Sequence, residues 1–321
     1  MSDLLKNKNS IEGGIALKGA KIINEAENCF NINHAKYVLT NKNAIEAVIA
    51  LEGAKIIIND SKNSFNATFA IKVLTNKNSI EAGIALEGAK IINESENSFN
   101  AVCASNILTN INAIEGGIAL EGAKIINDSK NRFNATFAED VLTNKNAIEA
   151  GTALEGAKII NESENEYNAI YARDILTNEN SIEAGIALEG AKIINESKND
   201  FNATFAIKAL TNKNAIEGGV ALDGAKIINE SKNSFNAKGA CDVIKNKKAI
   251  KTGIAIKSAL LINKQSSEKE CEHIKNMIIN DLENLETKAY LNYLFLLEEL
   301  NKYEEEEDVD VKGVVRSLKL L

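Results

Sequence analysis

Few residues in this chain could do acid–base, nucleophilic or metal chemistry, and their spacing argues against all three. There are two histidines, His34 and His273, and four cysteines, Cys29, Cys103, Cys241 and Cys271. His34 falls where a repeated segment carries Phe69, Phe137 or Phe205, so it reads as variation at one packing position. Cys271 and His273 stand in "CEH", without the further ligands that a zinc site needs. No CxxC pair occurs, and Cys29, Cys103 and Cys241 sit at different points of different repeats, so the cysteines read as reduced, structural thiols. Glu12, Glu46 and Glu81 recur like paired carboxylates, but a helix-capping role explains each. "LEGAK" and "IEGG" bring glycine near lysine without phosphate-loop spacing, inside expected helices. The "NAT" and "NES" triplets match a glycosylation acceptor, an incidental match in an Asn-rich chain with no recognisable signal peptide. The expectation is a non-enzyme with no catalytic residues, no metal site and no cofactor.

The elements that must hold these residues repeat along the chain. Anchor isoleucines stand at Ile11, Ile45, Ile80, Ile114, Ile148, Ile182, Ile216 and Ile250. The steps between them are equal except for that from Ile45 to Ile80, which is one position longer. The longer step contains "AKIIIND" at Ala54–Asp60, with one isoleucine more than its siblings. A fixed period of this size, about 34 residues, is the signature of a solenoid or array.

Two helical patterns appear per unit. The longer runs over Ala147–Ser163 and its equivalents, with an Asn-x-x-Glu capping box at Asn146/Glu149 and again at Asn9/Glu12, Asn43/Glu46 and Asn78/Glu81. Its apolar arc is wide, and Gly83, Ala85, Gly88 and Ala89 leave room for a close neighbour. Glycine inside a helix costs about 1 kcal/mol relative to alanine, which close packing between repeats must offset. The shorter helix spans Asn66–Thr75, with an apolar stripe of Phe65, Phe69, Ala70, Val73 and Leu74. The fold expected is all-α: an α-solenoid, of either hand, with about eight 34-residue two-helix repeats over residues 1–264, closed by a C-terminal helical cap over 265–321.

Composition agrees with an ordered, water-soluble array. The 321 residues are 45% hydrophobic with no proline, too apolar for disorder, and the apolar runs are too short to span a bilayer. The start lacks a signal-peptide pattern, so a cytoplasmic location is expected. The net charge of −8 is uneven: residues 1–264 hold 30 basic against 31 acidic side chains, and residues 265–321 hold 7 against 14. The array itself is near neutral, unlike a phosphate-binding track. In the tail, Tyr290, Tyr293, Leu294, Leu297 and Leu300 form an apolar side, "EEEED" at Glu304–Asp308 reads as a solvated linker, and residues 309–321 as a short closing helix.

Variation between units concentrates on the short helix. The changing positions are Thr68, Ile71 and Lys72; Val102, Ser105 and Asn106; Thr136, Glu139 and Asp140; Ile170, Arg173 and Asp174; Thr204, Ile207 and Lys208; and Lys238, Cys241 and Asp242. A second variable point lies in the turn between helices: Lys42, Lys77, Ile111, Lys145, Glu179, Lys213 and Lys247.

Over Leu4–Asn263 the pattern resembles the α-solenoid class of helix–turn–helix repeats. It shares the unit length of the tetratricopeptide repeat but lacks that repeat's Trp and Pro, and HEAT-type units are longer. TAL-effector repeats have the same length and a variable turn residue, yet their base-reading loops need glycines where this chain places Asn and Ala. The resemblance implies a non-enzymatic scaffold that binds a protein or peptide through its variable short-helix positions. The alternatives are modular nucleic-acid binding through the turn residues, or a mainly structural, antigenic repeat protein. No membrane partner is expected.

Overall fold

The computed structural model describes residues 2–282, 284 and 287–296, and every regular element among them is a helix. The chain is an α-solenoid of helical repeats. It divides into two compact bodies, residues 1–182 and 183–321, each built from the same kind of stacked unit.

Each unit holds three helices rather than two. In the unit beginning at Asn76 these are Lys77–Glu81, Ala85–Glu94 and Ser98–Thr109. Within a body, short helices pack on short helices, middle on middle and third on third, while each third helix also packs on the middle helix of the following unit.

The long helix expected over Ala147–Ser163 is therefore broken, into Lys145–Glu149 and Ala153–Asn161. Gly151 causes the break, with φ of 70°. Its N–H bonds to the Ile148 carbonyl at 2.9 Å, and the Thr152 N–H reaches back to the Ala147 carbonyl at 2.9 Å. That bond pair closes a helix C-terminus around a left-handed residue. Gly83, expected to serve close helix packing, is likewise a terminator, at φ 73°. Gly88 does carry the close packing: a Cβ placed there would lie 3.0 Å from Val73 and 3.1 Å from Leu108.

The expected capping box also moves. The N-cap is Asn144, whose side chain accepts the Ala147 N–H at 3.0 Å, and Asn7, Asn41, Asn76, Asn110 and Asn212 act alike. Asn146 falls inside the short helix, and Glu149 pairs with Lys145 at 3.6 Å instead of folding back on a cap. The third helix starts at its own cap, such as Asn63 ahead of Ser64–Leu74.

Sequence similarity between units fades near Ser266, yet Glu268–Asn280 packs on Ser234–Ile244 as earlier third helices pack on one another. Its N-cap Ser267 stands one full period after the N-cap Asn233, and Ile274 and Ile278 are buried. Further on, Leu291 is buried and Tyr290 exposed. Leu297, Leu300, the acidic run 304–308 and segment 309–321 lie outside the described residues. No helix among the described residues is long and apolar enough to cross a membrane.

Candidate interaction surface

A polar ladder fixes one unit against the next. Asn66, wholly buried, donates its side-chain amide to the carbonyls of Ile92 (3.1 Å), Asn93 (2.9 Å) and Ser95 (3.3 Å), at the end of the following unit's middle helix. Asn31, Asn100, Asn134, Asn202 and Asn236 serve the same place in their units. They meet the need of orphan helix-end carbonyls for donors. Beside them runs a second file: Ser61 donates to the Asn93 amide oxygen at 2.8 Å, Ser95 to Asn127 at 2.6 Å, Ser129 to Asn161 at 2.7 Å and Ser231 to Asn263 at 2.6 Å.

Neither the capping boxes nor the apolar stripes announce this ladder, yet the sequence carries a signal for it. At the first junction both partners change together: Ala26 stands at the serine position, and Ile58 at the matching asparagine position of the next unit. The ladder also disposes of several "NAT" triplets, because Asn66, Asn134 and Asn202 are buried and hydrogen-bonded.

The variable positions lie on the third helices, where they meet one another across unit boundaries. The Lys72 ammonium donates to the Asn106 amide oxygen at 2.6 Å, and the Asn106 amide donates to Glu139 at 2.7 Å. Arg173 Nη1 donates to Asp140 at 2.8 Å, and its guanidinium lies 5.1 Å from the centre of the Phe137 ring. Arg173 Nε sits 2.7 Å from Asp174, an ionic contact rather than a well-aligned hydrogen bond. Burial raises the Asp174 carboxyl above its ordinary range, against the lowering effect of Arg173. His34 joins the row through Thr68, at 3.1 Å.

In the second body, the Lys208 ammonium lies 4.7 Å from the Phe205 ring centre, and Asp242 pairs with Lys245 at 3.6 Å and Lys275 at 3.9 Å. Thr68, Lys72, Thr136, Lys208 and Lys238 are exposed. Ile71, Val102, Asn106, Glu139, Asp140, Ile170, Arg173, Asp174, Thr204, Ile207 and Asp242 are half-buried. Ser105, expected at the surface, is fully buried, with its hydroxyl bonded to the Val102 carbonyl at 2.8 Å. Cys241 is buried too.

Between the third helices Ser98–Thr109 and Arg132–Thr143 lies an open groove of about 460 Å³, lined by Ser98, Phe99, Val102, Arg132, Thr136 and Glu139. Cys103 forms its floor, its thiol held far above the ordinary range by burial and by neighbouring Glu139. Burial pushes Cys241 and Cys271 up to about 11. These three thiols stay protonated at neutral pH and make poor nucleophiles.

The residues placed in the inter-helix turn are the first residues of the short helices. Lys42, Lys77, Lys145 and Lys213 each pair with a glutamate one turn further on, at 3.6 to 3.7 Å. Ile111 is 46% exposed, while Glu179 and Lys247 open Glu179–Glu183 and Lys247–Lys251. Among the described residues no three His, Cys, Asp or Glu side chains group as metal ligands. Compared with protein-family models and with curated protein sequences, the chain matches none.

Proposed function

We propose that the chain is a non-catalytic repeat scaffold that binds a protein or peptide along the outer face of its third helices. One observation carries the reading: within each body, most of the positions that change between near-identical units lie in register on that face, Ser105 and Cys241 being buried beneath it. They flank a groove with an apolar floor and polar walls at Arg132, Thr136 and Glu139. A stack of units offers one such set of contacts per repeat, which suits an extended partner. Four free thiols, three of them buried and Cys29 exposed, suit a reducing compartment, and a cytoplasmic location belongs to the same proposal.

The test is affinity capture from the source cells' lysate, split into nuclease-treated and untreated arms and washed at low and high salt. A protein retained by the wild type after nuclease, and lost when Val102, Asn106, Thr136 and Glu139 are replaced together, supports the proposal. Retention by both forms removes this face from it. Nucleic acid recovered only at low salt transfers the role to Lys42, Lys77, Lys145 and Lys213. A second reading, a mainly structural array, is favoured by the bonds that Lys72, Asn106, Glu139, Asp140 and Arg173 make to one another. Capture of nothing would prefer it.

A further inference from the structure

One aromatic position of the third helices has lost its ring in the middle of the first body. Units two, four, five and six carry Phe69, Phe137, Tyr171 and Phe205 there, each half-buried, while His34, Gly239 and His273 stand there in units one, seven and eight. The third unit carries Cys103. A small side chain in the place of a large one leaves a hole that its surroundings close only in part. Here the hole is the groove of about 460 Å³, with Cys103 at its floor, Phe99 and Val102 beside it, and Thr136 and Glu139 across the unit boundary.

The next junction shows what the same space holds when the ring is present. The Arg173 guanidinium lies 5.1 Å from the centre of the Phe137 ring and donates to Asp140 at 2.8 Å. Ring, cation and carboxylate satisfy one another there. One unit earlier, Cys103 stands at the place of Phe137 and Glu139 at the place of Arg173, so this junction has neither the ring nor the cation. The Glu139 carboxylate meets uncharged groups, the Asn106 amide at 2.7 Å and the Cys103 thiol, and no cation lies within ion-pair distance of it among the described residues.

We infer, on the reading that the third-helix face binds a peptide, that this groove takes an extended peptide with an aromatic side chain and a basic one two positions apart. The ring replaces the missing one over Cys103, against Phe99, and the cation meets Glu139. Alternate side chains of an extended chain point the same way, about 6.6 Å apart. That spacing is close to the 5.1 Å between ring centre and guanidinium at the next junction. Arg132, exposed and about two helical turns from Glu139 on the same helix, repels a cation at the other end of the groove. The basic side chain is therefore fixed at the Glu139 end.

The test is a random-peptide display selection on the full chain, followed by titration of the enriched peptide, made with blocked ends and a fluorescein label. The wild type should enrich a basic residue two positions from an aromatic one. Cys103→Phe restores the side chain of Phe69, Phe137 and Phe205 and fills the groove, so it should weaken binding at least tenfold while melting no lower than the wild type. Glu139→Gln keeps an acceptor for the Asn106 amide and removes the charge. It should weaken binding about tenfold at low salt and differ little from the wild type at high salt. An enriched peptide without the aromatic–basic pair, or one that Cys103→Phe binds as well as the wild type does, overturns the inference while leaving peptide binding elsewhere on the third helices standing. Enrichment of no peptide overturns the inference and the peptide-binding reading together.

Discussion

Val48 is the one non-glycine with a positive φ among the described residues, at 63°. Its equivalents are Gly14, Gly83, Gly117, Gly151, Gly185, Gly219 and Gly253. A left-handed backbone costs an L-residue roughly 1–2 kcal/mol, and more strain attaches to a β-branched side chain. At 87% exposure, Val48 gains little burial in return. Val48→Gly should therefore stabilise the fold by about 1 kcal/mol once glycine's greater unfolded-state entropy is subtracted, read as a raised urea midpoint. Gly151→Val should lose at least as much. A fall in midpoint for Val48→Gly would mean that the unit boundary does not rest on this conformation. Ser258 makes the opposite case. Buried at a position that is glycine in the other units, its hydroxyl finds no partner among the described residues. Ser258→Ala should add about 1 kcal/mol, the desolvation cost of an unmade bond, read again as a shifted midpoint at constant slope. Asn134→Ala should do the reverse. It strips the Asn161 and Ser163 carbonyls of their donor, a loss of about 1–3 kcal/mol.

At the scale of the helix, the third helices hold two kinds of information on one face. Their buried edge is nearly constant, and their outer edge carries residues that match across a boundary. Arg173 is 25% and Asp140 45% exposed, so their attraction is only partly screened. A double-mutant cycle on Asp140→Asn and Arg173→Gln should give a coupling of about 0.5–1 kcal/mol, above the value for the well-exposed Lys145–Glu149 pair. Equal couplings would reduce the seam to solvated decoration. Asp174 adds a pH signature. Burial raises its pKa in the folded chain, so the folded state holds this proton when the unfolded state has already released it. Folding stability should then fall as pH rises through the window from the ordinary aspartate value up to the raised one. Asp174→Asn should flatten that decline, which urea titrations at successive pH values can measure.

At the scale of the molecule, the anchor isoleucines and the wide apolar arc made the stacked helical array legible, because period and burial depend on residue type alone. The three-helix unit was hidden by Gly151, which reads equally as a packing residue or a terminator until its φ is known. The asparagine ladder was hidden by composition: in a chain rich in Asn, the wholly buried Asn66 looks like the half-buried cap Asn63. The variable triplets were readable as a row, but their mutual bonds depend on which helices face each other one period apart in the chain. One test joins these levels. Removing residues 110–143 excises a whole unit and joins Thr109 to Asn144, the same dipeptide found at Thr143–Asn144. Ser95 would then meet Asn161 in place of Asn127, and Asn106 would meet Arg173 in place of Glu139, so both files close again across the new junction. Because stability in such arrays adds up from units and nearest-neighbour interfaces, the shortened protein should fold. Its helical signal per residue should be unchanged and its denaturant slope lower by about a tenth, in proportion to the surface lost. Moving the same deletion by half a unit, to residues 127–160, joins Ile126 to Asn161 and leaves the pattern equally in register, so it should behave alike. Removing only residues 110–126 takes out half a period, breaks the register and should abolish cooperative unfolding. If all three deletions behaved alike, the array would owe its order to something other than matched neighbours.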